Sequence, residues 1–343
     1  MATSAVLIVG AHRAAGIPPV SAAVFQENPE SLLGCPLPCL EILGRSMLAR
    51  TIETLRDAGV SPITLVGTEE IAQRTGVLPG EAEICLAGNG EDALRLATRK
   101  LAEHFDGGVQ TVLVQKLGAY IEFNLADMLQ FHERRESSIC RAADSGGPLD
   151  LWAVEEDAVS SSGPNLDWHG QPVQWYRGCQ YINRMRSVRE LRRLVVDVLH
   201  SRCAIRPIGT EVRPGVWMDE QAHVHREARV VSPAYIGRRA RVQASALITR
   251  SSSLERDCEV GEATVVEESS ILPETNLGRW LDVSHAVVDG TTFIDLKSEV
   301  AVEIADSALV GRAKSSETRM WPGDGEHLKF VQRVSGRMKA LLH

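Results

Sequence analysis

The chain is short of aromatic residues: Phe, Trp and Tyr make up 5% of its 343 residues. A core must then be filled by aliphatic side chains, which suits flat rungs lined with Val, Ile and Ala. Positive charge is also in deficit. The formal net charge is −8, which argues against nucleic acid as a partner. Long hydrophobic runs are missing. The first apolar run, Ala5 to Val9, is too short for a membrane span and has no basic stretch before it. Neither a signal peptide nor a transmembrane segment is expected. No disulfide framework is expected either. The seven cysteines (Cys35, Cys39, Cys85, Cys140, Cys179, Cys203 and Cys258) are scattered and odd in number. They read as the reduced thiols of a cytoplasmic protein. Cys35 and Cys39 flank Pro36-Leu37-Pro38 without a second Cys/His pair nearby, which favours a structural role over a metal site.

What the chain does have is a repeat. An aliphatic residue returns at every sixth position: Val224, Val230, Ile236, Val242, Ile248, Leu254 and Val260. Two residues before each stands a small one: Ala222, Ala228, Ala234, Ala240, Ala246, Ser252 and Cys258. Neither a helix nor an ordinary strand requires that spacing. Six-residue units of this kind form the flat sides of a triangular coil, and stacked coils make a parallel β-helix. After Val260 the pattern shifts by one residue and resumes at Val265, Ile271, Leu277 and Val283, with Ala263, Ser269 and Thr275 as small partners. Gly237 and Gly261 follow aliphatic positions, where positive φ is expected to ease the corner.

The N-terminal part alternates strands and helices. Ala5 to Val9 reads as a central parallel strand closed by Gly10, followed by a Gly-, Ala- and Pro-rich loop to about Pro38. Ser46 is placed to cap a helix over Met47 to Ala58, ended by Gly59. Strands are expected at Pro62 to Gly67, Thr111 to Val114 and Cys179 to Asn183, and helices at Asp92 to His104, Leu125 to Glu136 and Val188 to His200. In the last helix Arg189, Arg192 and Arg193 are expected to face water. Asp144 to Gln174 reads as a loop region carrying short strands. The alternation predicts an α/β domain with a mostly parallel sheet. Ligands of such sheets sit beyond the carboxyl ends of the strands, here the loops after Val9 and Val114.

The order of these parts resembles the sugar-1-phosphate nucleotidylyltransferases, or NDP-sugar pyrophosphorylases. The segment Leu40-Glu41-Ile42-Leu43-Gly44-Arg45-Ser46-Met47-Leu48, running on to Thr51 to Val60, is similar to the family's "lP-V-x-G-K-P-(M/L)-L … I-x-x-L-x-x-x-G-(I/V)" stretch. Gly88-Asn89-Gly90-Glu91-Asp92-Ala93-Leu94 resembles its base-binding "L-G-T-A-x-A-L", and Val112 to His132 its "L-x-x-G-D … H". Arg177 to Ile182 resembles "N-x-G-I-Y-x-(F/L)", and Gly215-Val216-Trp217-Met218-Asp219 resembles "G-x-W-x-D". The resemblance covers most of residues 1–290. It implies a Rossmann-like nucleotidyltransferase domain over 1–215 and a left-handed hexapeptide β-helix over 216–311. A polar linker and an amphipathic C-terminal helix are expected over 312–343. It further implies nucleotide binding by Gly10, Ala11, His12, Arg13, Gly88, Asn89 and Gly90, a catalytic role for Arg13, a sugar contact at Gly178 and Mg²⁺ at Asp219.

The departures bear on activity. The family's first loop reads G-x-G-T-R-L with a following Pro-Lys; here it is Gly10-Ala11-His12-Arg13-Ala14-Ala15-Gly16, without the second Gly or the Thr. Pro36-Leu37 or Pro38-Cys39 stands at the Pro-Lys position, and Leu117-Gly118 at the metal-binding "G-D". No segment matches the Glu-Lys-Pro whose lysine meets the sugar phosphate. Each comparable group contributes about 3–4 kcal/mol to transition-state stabilisation. The expectation is therefore a nucleotide or sugar-nucleotide binder of glycan or exopolysaccharide metabolism with weakened or lost catalysis, working with a glycan-synthesis protein. An active enzyme with relocated groups (Lys116, Glu122, Asp127) and bound Mg²⁺ is the alternative. A hexapeptide acyltransferase using His223, His225 or His285 is a third.

The flat coil faces suggest a homo-oligomer. Leu328, Val331, Val334, Met338, Leu341 and Leu342 repeat at helical spacing beside Lys329, Arg333 and Arg337. Such a helix is expected to cap the coil stack; the other reading places it on an acidic membrane surface.

Overall fold

The computed structural model describes residues 2–9, 31–74, 80–134, 137–161, 166, 168 and 171–313. Its N-terminal part is an α/β unit around a seven-stranded sheet. Thr3–Ile8 lies at the centre, paired in parallel with Ile63–Gly67 on one side and Thr111–Lys116 on the other. Glu83–Leu86 extends the sheet beyond Ile63–Gly67, again in parallel. Beyond Thr111–Lys116 come Gly147–Val154 and Ile139–Asp144, both antiparallel to their inner neighbours, and then Gln174–Tyr176. The stretch expected as a loop region thus opens with a long antiparallel hairpin. Its Leu149, Leu151 and Ala153 alternate inward, a short period-two signal within a polar sequence.

Helices cover both faces, which is why the central strands read as continuous apolar runs. On one face Ala5, Leu7, Leu65 and Leu113 meet Leu48, Ile52 and Leu55 of the Met47–Asp57 helix. On the other, Val6, Ile8, Val66 and Val114 meet Ala93, Ala97 and Leu101 of the Gly90–Asp106 helix. Each such buried Leu or Ile contributes roughly 1.5–3 kcal/mol. Ser46 caps the first helix as its sequence suggests, accepting from Ala49 N at 3.2 Å.

From Val216 the chain winds through three parallel ladders. One joins Val216–Met218, Ala234–Ile236, Ser252–Leu254, Ser270–Ile271 and Ala286–Asp289. The second joins His223–Val224 through to Thr275–Leu277, and the third Arg229–Val230 through to Asp282–Ser284. A three-faced stack of this kind is compatible with a β-helix. Two antiparallel strands, Thr292–Asp295 and Val300–Glu303, extend the first ladder, and Val310–Arg312 runs antiparallel on Thr275–Leu277. The expected C-terminal helix and nearly all of the linker lie outside the described residues.

Three expectations for this region are corrected. The inward residue after Val260 is Val266, fully buried and paired with Ile248, while Val265 is only partly buried. The one-residue slip therefore falls between Val266 and Ile271. Two adjacent valines offered the sequence no way to choose between them. Second, the positive φ at the corners belongs to Arg239 (55°) and Ala263 (56°), two residues past the glycines. Gly237 and Gly261 are needed because a Cβ there would collide with the backbone of the next coil at Glu255 and Gly278. Third, Arg192 does not face water. It is buried and donates to Ser251 O at 2.8 Å and Glu268 O at 3.2 Å.

The two parts share one core. Leu37, Leu40, Ile42 and Leu43 pack with Leu191, Leu194, Val195 and Val198 of the Val188–Leu199 helix and with Tyr235, Leu272, Val287 and Ile294 of the coil side.

Candidate nucleotide crevice and the buried seam

The chain moves from Thr3–Ile8 outward to Ile63–Gly67 and Glu83–Leu86, then returns to Thr111–Lys116 on the opposite side. The order of strands reverses between Thr3–Ile8 and Thr111–Lys116. A crevice opens beyond the carboxyl ends at such a reversal and is where α/β sheets take ligands. Ile8 and Lys116 are register partners there, and Leu117 N donates to Ile8 O at 3.0 Å. Gly10, Ala11, His12 and Arg13, the expected phosphate loop and catalytic arginine, follow directly on Val9 and lie outside the described residues.

Gly88, Asn89 and Gly90 lie past the end of the edge strand, two strand spacings, or about 10 Å, from the central one. Asn89 caps the Gly90–Asp106 helix: its Oδ1 accepts from Asp92 N at 3.0 Å and its Nδ2 donates to Asp92 Oδ2 at 2.7 Å. Glu91 and Asp92 occupy the first turn. Those carboxylates repel phosphate, so this turn suits an uncharged base rather than the anionic end of a nucleotide.

Gly178 follows Gln174–Tyr176 and folds back over Tyr176, whose ring leaves no room for a Cβ. Tyr176 in turn donates to Asp127 at 2.7 Å. Glu122 accepts from Tyr120 OH and from Ala204 N, both at 2.6 Å. Asp127 and Glu122 are thus engaged in local structure.

Asp219 sits beside Gly44 where the coil begins, with Oδ1 accepting from Glu220 N at 2.7 Å. No group of three or more metal-ligating side chains occurs among the described residues. At the resemblance's metal position Leu117 is buried in the sheet core and Gly118 has no side chain. The described donor set does not fit a Mg²⁺ ion held by two carboxylates.

The polar feature that sequence reasoning missed lies in the seam between the two parts. The hairpin Glu41–Ile42/Arg45–Ser46 turns at Leu43 and Gly44, both at positive φ (51° and 91°). Their N–H groups point at one carboxylate: Glu255 accepts from Leu43 N at 2.8 Å and Gly44 N at 3.0 Å. Glu255 is 1% exposed. Burial and the nearby Glu41 push its carboxyl up to about 7, against the opposing pull of those two N–H groups and Arg50. Arg50, also buried, donates to Ile42 O at 2.7 Å, Leu43 O at 3.0 Å and Arg206 O at 3.1 Å. Glu41 Oε1 accepts from Arg256 Nε at 2.7 Å, and Arg256 also meets Glu274 at 2.7 Å and Asp257 at 3.3 Å. Among the described residues the buried Tyr235 hydroxyl, Glu41 Oε2 and Arg50 Nε have no hydrogen-bond partner here. Tyr235 gave the available signal: a large aromatic at an outward coil position, between Ala234 and Ile236, needs a cover.

No family model matches the chain, and no curated protein matches it.

Proposed function

We propose that this chain is a nucleotidyltransferase-like protein that takes a nucleotide or sugar nucleotide in the crevice beyond Ile8 and Lys116, with weakened or lost catalysis. The reading includes a Rossmann-like domain, a left-handed hexapeptide β-helix and a role in glycan or exopolysaccharide metabolism. One observation carries it: the strand order reverses at that crevice, while the place of the metal carboxylate is taken by Leu117 and Gly118. Gly88–Gly90 lie two to three strand spacings from the crevice, about 10–15 Å, which suits a nucleoside laid across the strand ends. Nucleotidyl transfer depends on positioning and charge neutralisation at phosphorus, and the described residues supply little of the latter.

The experiment is pyrophosphate release with Mg²⁺ across a panel of nucleoside triphosphates and sugar 1-phosphates, run beside thermal shifts with the same compounds. The expected result is a nucleotide-dependent rise in melting temperature with no sustained turnover. Robust turnover with one pair would establish an active enzyme with relocated groups. No shift with any nucleotide would sink the binding reading.

A second reading, acyl transfer, is favoured by His285, whose Nδ1 lies 2.8 Å from Glu268 at a coil corner. A histidine oriented by a carboxylate is suited to general-base work. Thiol release from acetyl-CoA, lost in His285→Gln, is the result that would establish it.

A further inference from the structure

The Val188–Leu199 helix turns its apolar side to the shared core and its arginines to a cleft of about 600 Å³. Arg189, Arg192 and Arg193 line that cleft from the helix, Arg202 from the segment after it, and Tyr181 and Leu296 from the facing elements. Four guanidinium groups in one cleft stand out on a chain whose net charge is −8.

Two carboxylates answer them. Glu299 meets Arg189 at 2.6 Å. The buried Asp197 accepts from Tyr181 OH at 2.7 Å and lies 3.2 Å from Arg202 and 3.6 Å from Arg193. Arg192 makes no ion pair among the described residues. It is held by two carbonyl oxygens of the coil, and Glu268, whose field it feels, is engaged by His285. A buried guanidinium without a carboxylate partner is costly, and an anion brought to it recovers part of that cost. Four guanidinium groups against the lining Asp197, Glu299 at the rim and Glu268 behind Arg192 leave the cleft net positive, as an anionic phosphate group requires. Arginine forks match phosphate oxygens in geometry, and Val196, Leu296 and the Tyr181 ring supply an apolar wall.

We infer that this cleft binds a small phosphorylated molecule, with Arg192 at its floor and Arg193 and Arg202 at its mouth. None of its residues ends a strand of the seven-stranded sheet, so the site is separate from the proposed nucleotide crevice. Its ligand would tie the helix to the coil and stiffen the seam.

The test is calorimetric titration of the full chain with inorganic phosphate at fixed ionic strength, with chloride as control. Arg193→Gln and Arg202→Gln remove exposed side chains one at a time and should lower the melting temperature without phosphate only slightly, because Asp197 keeps Tyr181 and the other arginine. The expected result is saturable binding that weakens about tenfold in each variant, the loss typical of one charge-assisted hydrogen bond. Lys116→Gln, in the crevice, should leave this binding intact. Absence of saturable heat in folded protein would overturn the inference. So would binding that disappears in Lys116→Gln and survives in both arginine variants, which would place phosphate in the crevice. Nucleotide-induced thermal shifts in the arginine variants report on the crevice independently.

Discussion

Glu255 carries the largest consequence of any single residue in the seam. Its carboxyl titrates near 7 in the folded chain and near 4.3 when unfolded, because burial disfavours the charged form. Between those values the folded state holds the proton and the unfolded state has lost it. Stability therefore falls as pH rises from about 4.3 toward 7 and levels off above that. Glu41, Asp219 and Asp257 on the acidic side and Arg50 and Arg256 on the basic side share the neighbourhood. Glu255→Gln isolates the effect. The difference in melting temperature between wild type and variant should shift in the variant's favour between pH 5 and 7.5. A difference that stays constant across this range would mean that Glu255 is ionised throughout. Gly44 is the complementary case. Its φ of 91° and the Tyr235 hydroxyl against any added Cβ make Gly44→Ala destabilising by about 2 kcal/mol or more, measured by urea denaturation. The sequence drew attention to Leu40–Leu48 as a family-like stretch. That this stretch docks on a glutamate 212 residues away was not legible, because Glu255 looks like any charged residue on a coil face.

At the scale of the coil, the small positions divide into two kinds. Ala222, Ala228, Ala234, Ala240 and Ala246 stand where coils are 18 residues long, as the pairing of Ala234 with Ser252 illustrates. Ser252, Thr264 and Ser269 face coils that return after 17, as Leu254 does with Ile271. There a hydroxyl bonds the main chain of the next coil. Ser252 accepts from Ser269 N at 3.2 Å, Thr264 from Leu281 N at 3.1 Å and Ser269 from Ala286 N at 3.0 Å. Thr264 also donates back, to Gly278 O at 2.7 Å, while the Ser269 hydroxyl donates within its own coil to Glu267 O at 2.7 Å. The change from alanine to hydroxyl residues thus coincides with the shortened coil and satisfies the backbone groups near its tightened corners. The hexad itself was plain in the sequence, since one buried aliphatic per side is a steric requirement. The site of the slip was not, because its signal lay in the hydroxyls rather than in the aliphatic residues. Ser269→Ala should cost about 1–3 kcal/mol, read by chemical denaturation, because it orphans a buried N–H. A loss below a few tenths of a kcal/mol would mean that water replaces the bond.

The whole molecule is set by the seam. The α/β unit and the coil do not meet through a polar linker: the helix Val188–Leu199 has its apolar side in a cluster drawn from both. Arg192 fixes the same helix to two coil corners, and Arg256 of the coil reaches Glu41 of the hairpin. Separating the parts would expose that cluster and leave Arg192 and Glu255 without their partners. Cooperative unfolding follows. Trp152 reports on the sheet and Trp217 on the first coil ladder, so chains keeping only one of these tryptophans should melt at the same temperature. Leu194→Ala, deep in the shared cluster, should lower both transitions together, with a loss of about 2–5 kcal/mol from cavity formation. Two separate melting temperatures, with only the sheet's tryptophan responding to Leu194→Ala, would show that the parts are stable independently. A ligand in the crevice would then have no route to the coil through this helix. If the transitions move as one, whatever binds either part stabilises the other through the same buried cluster.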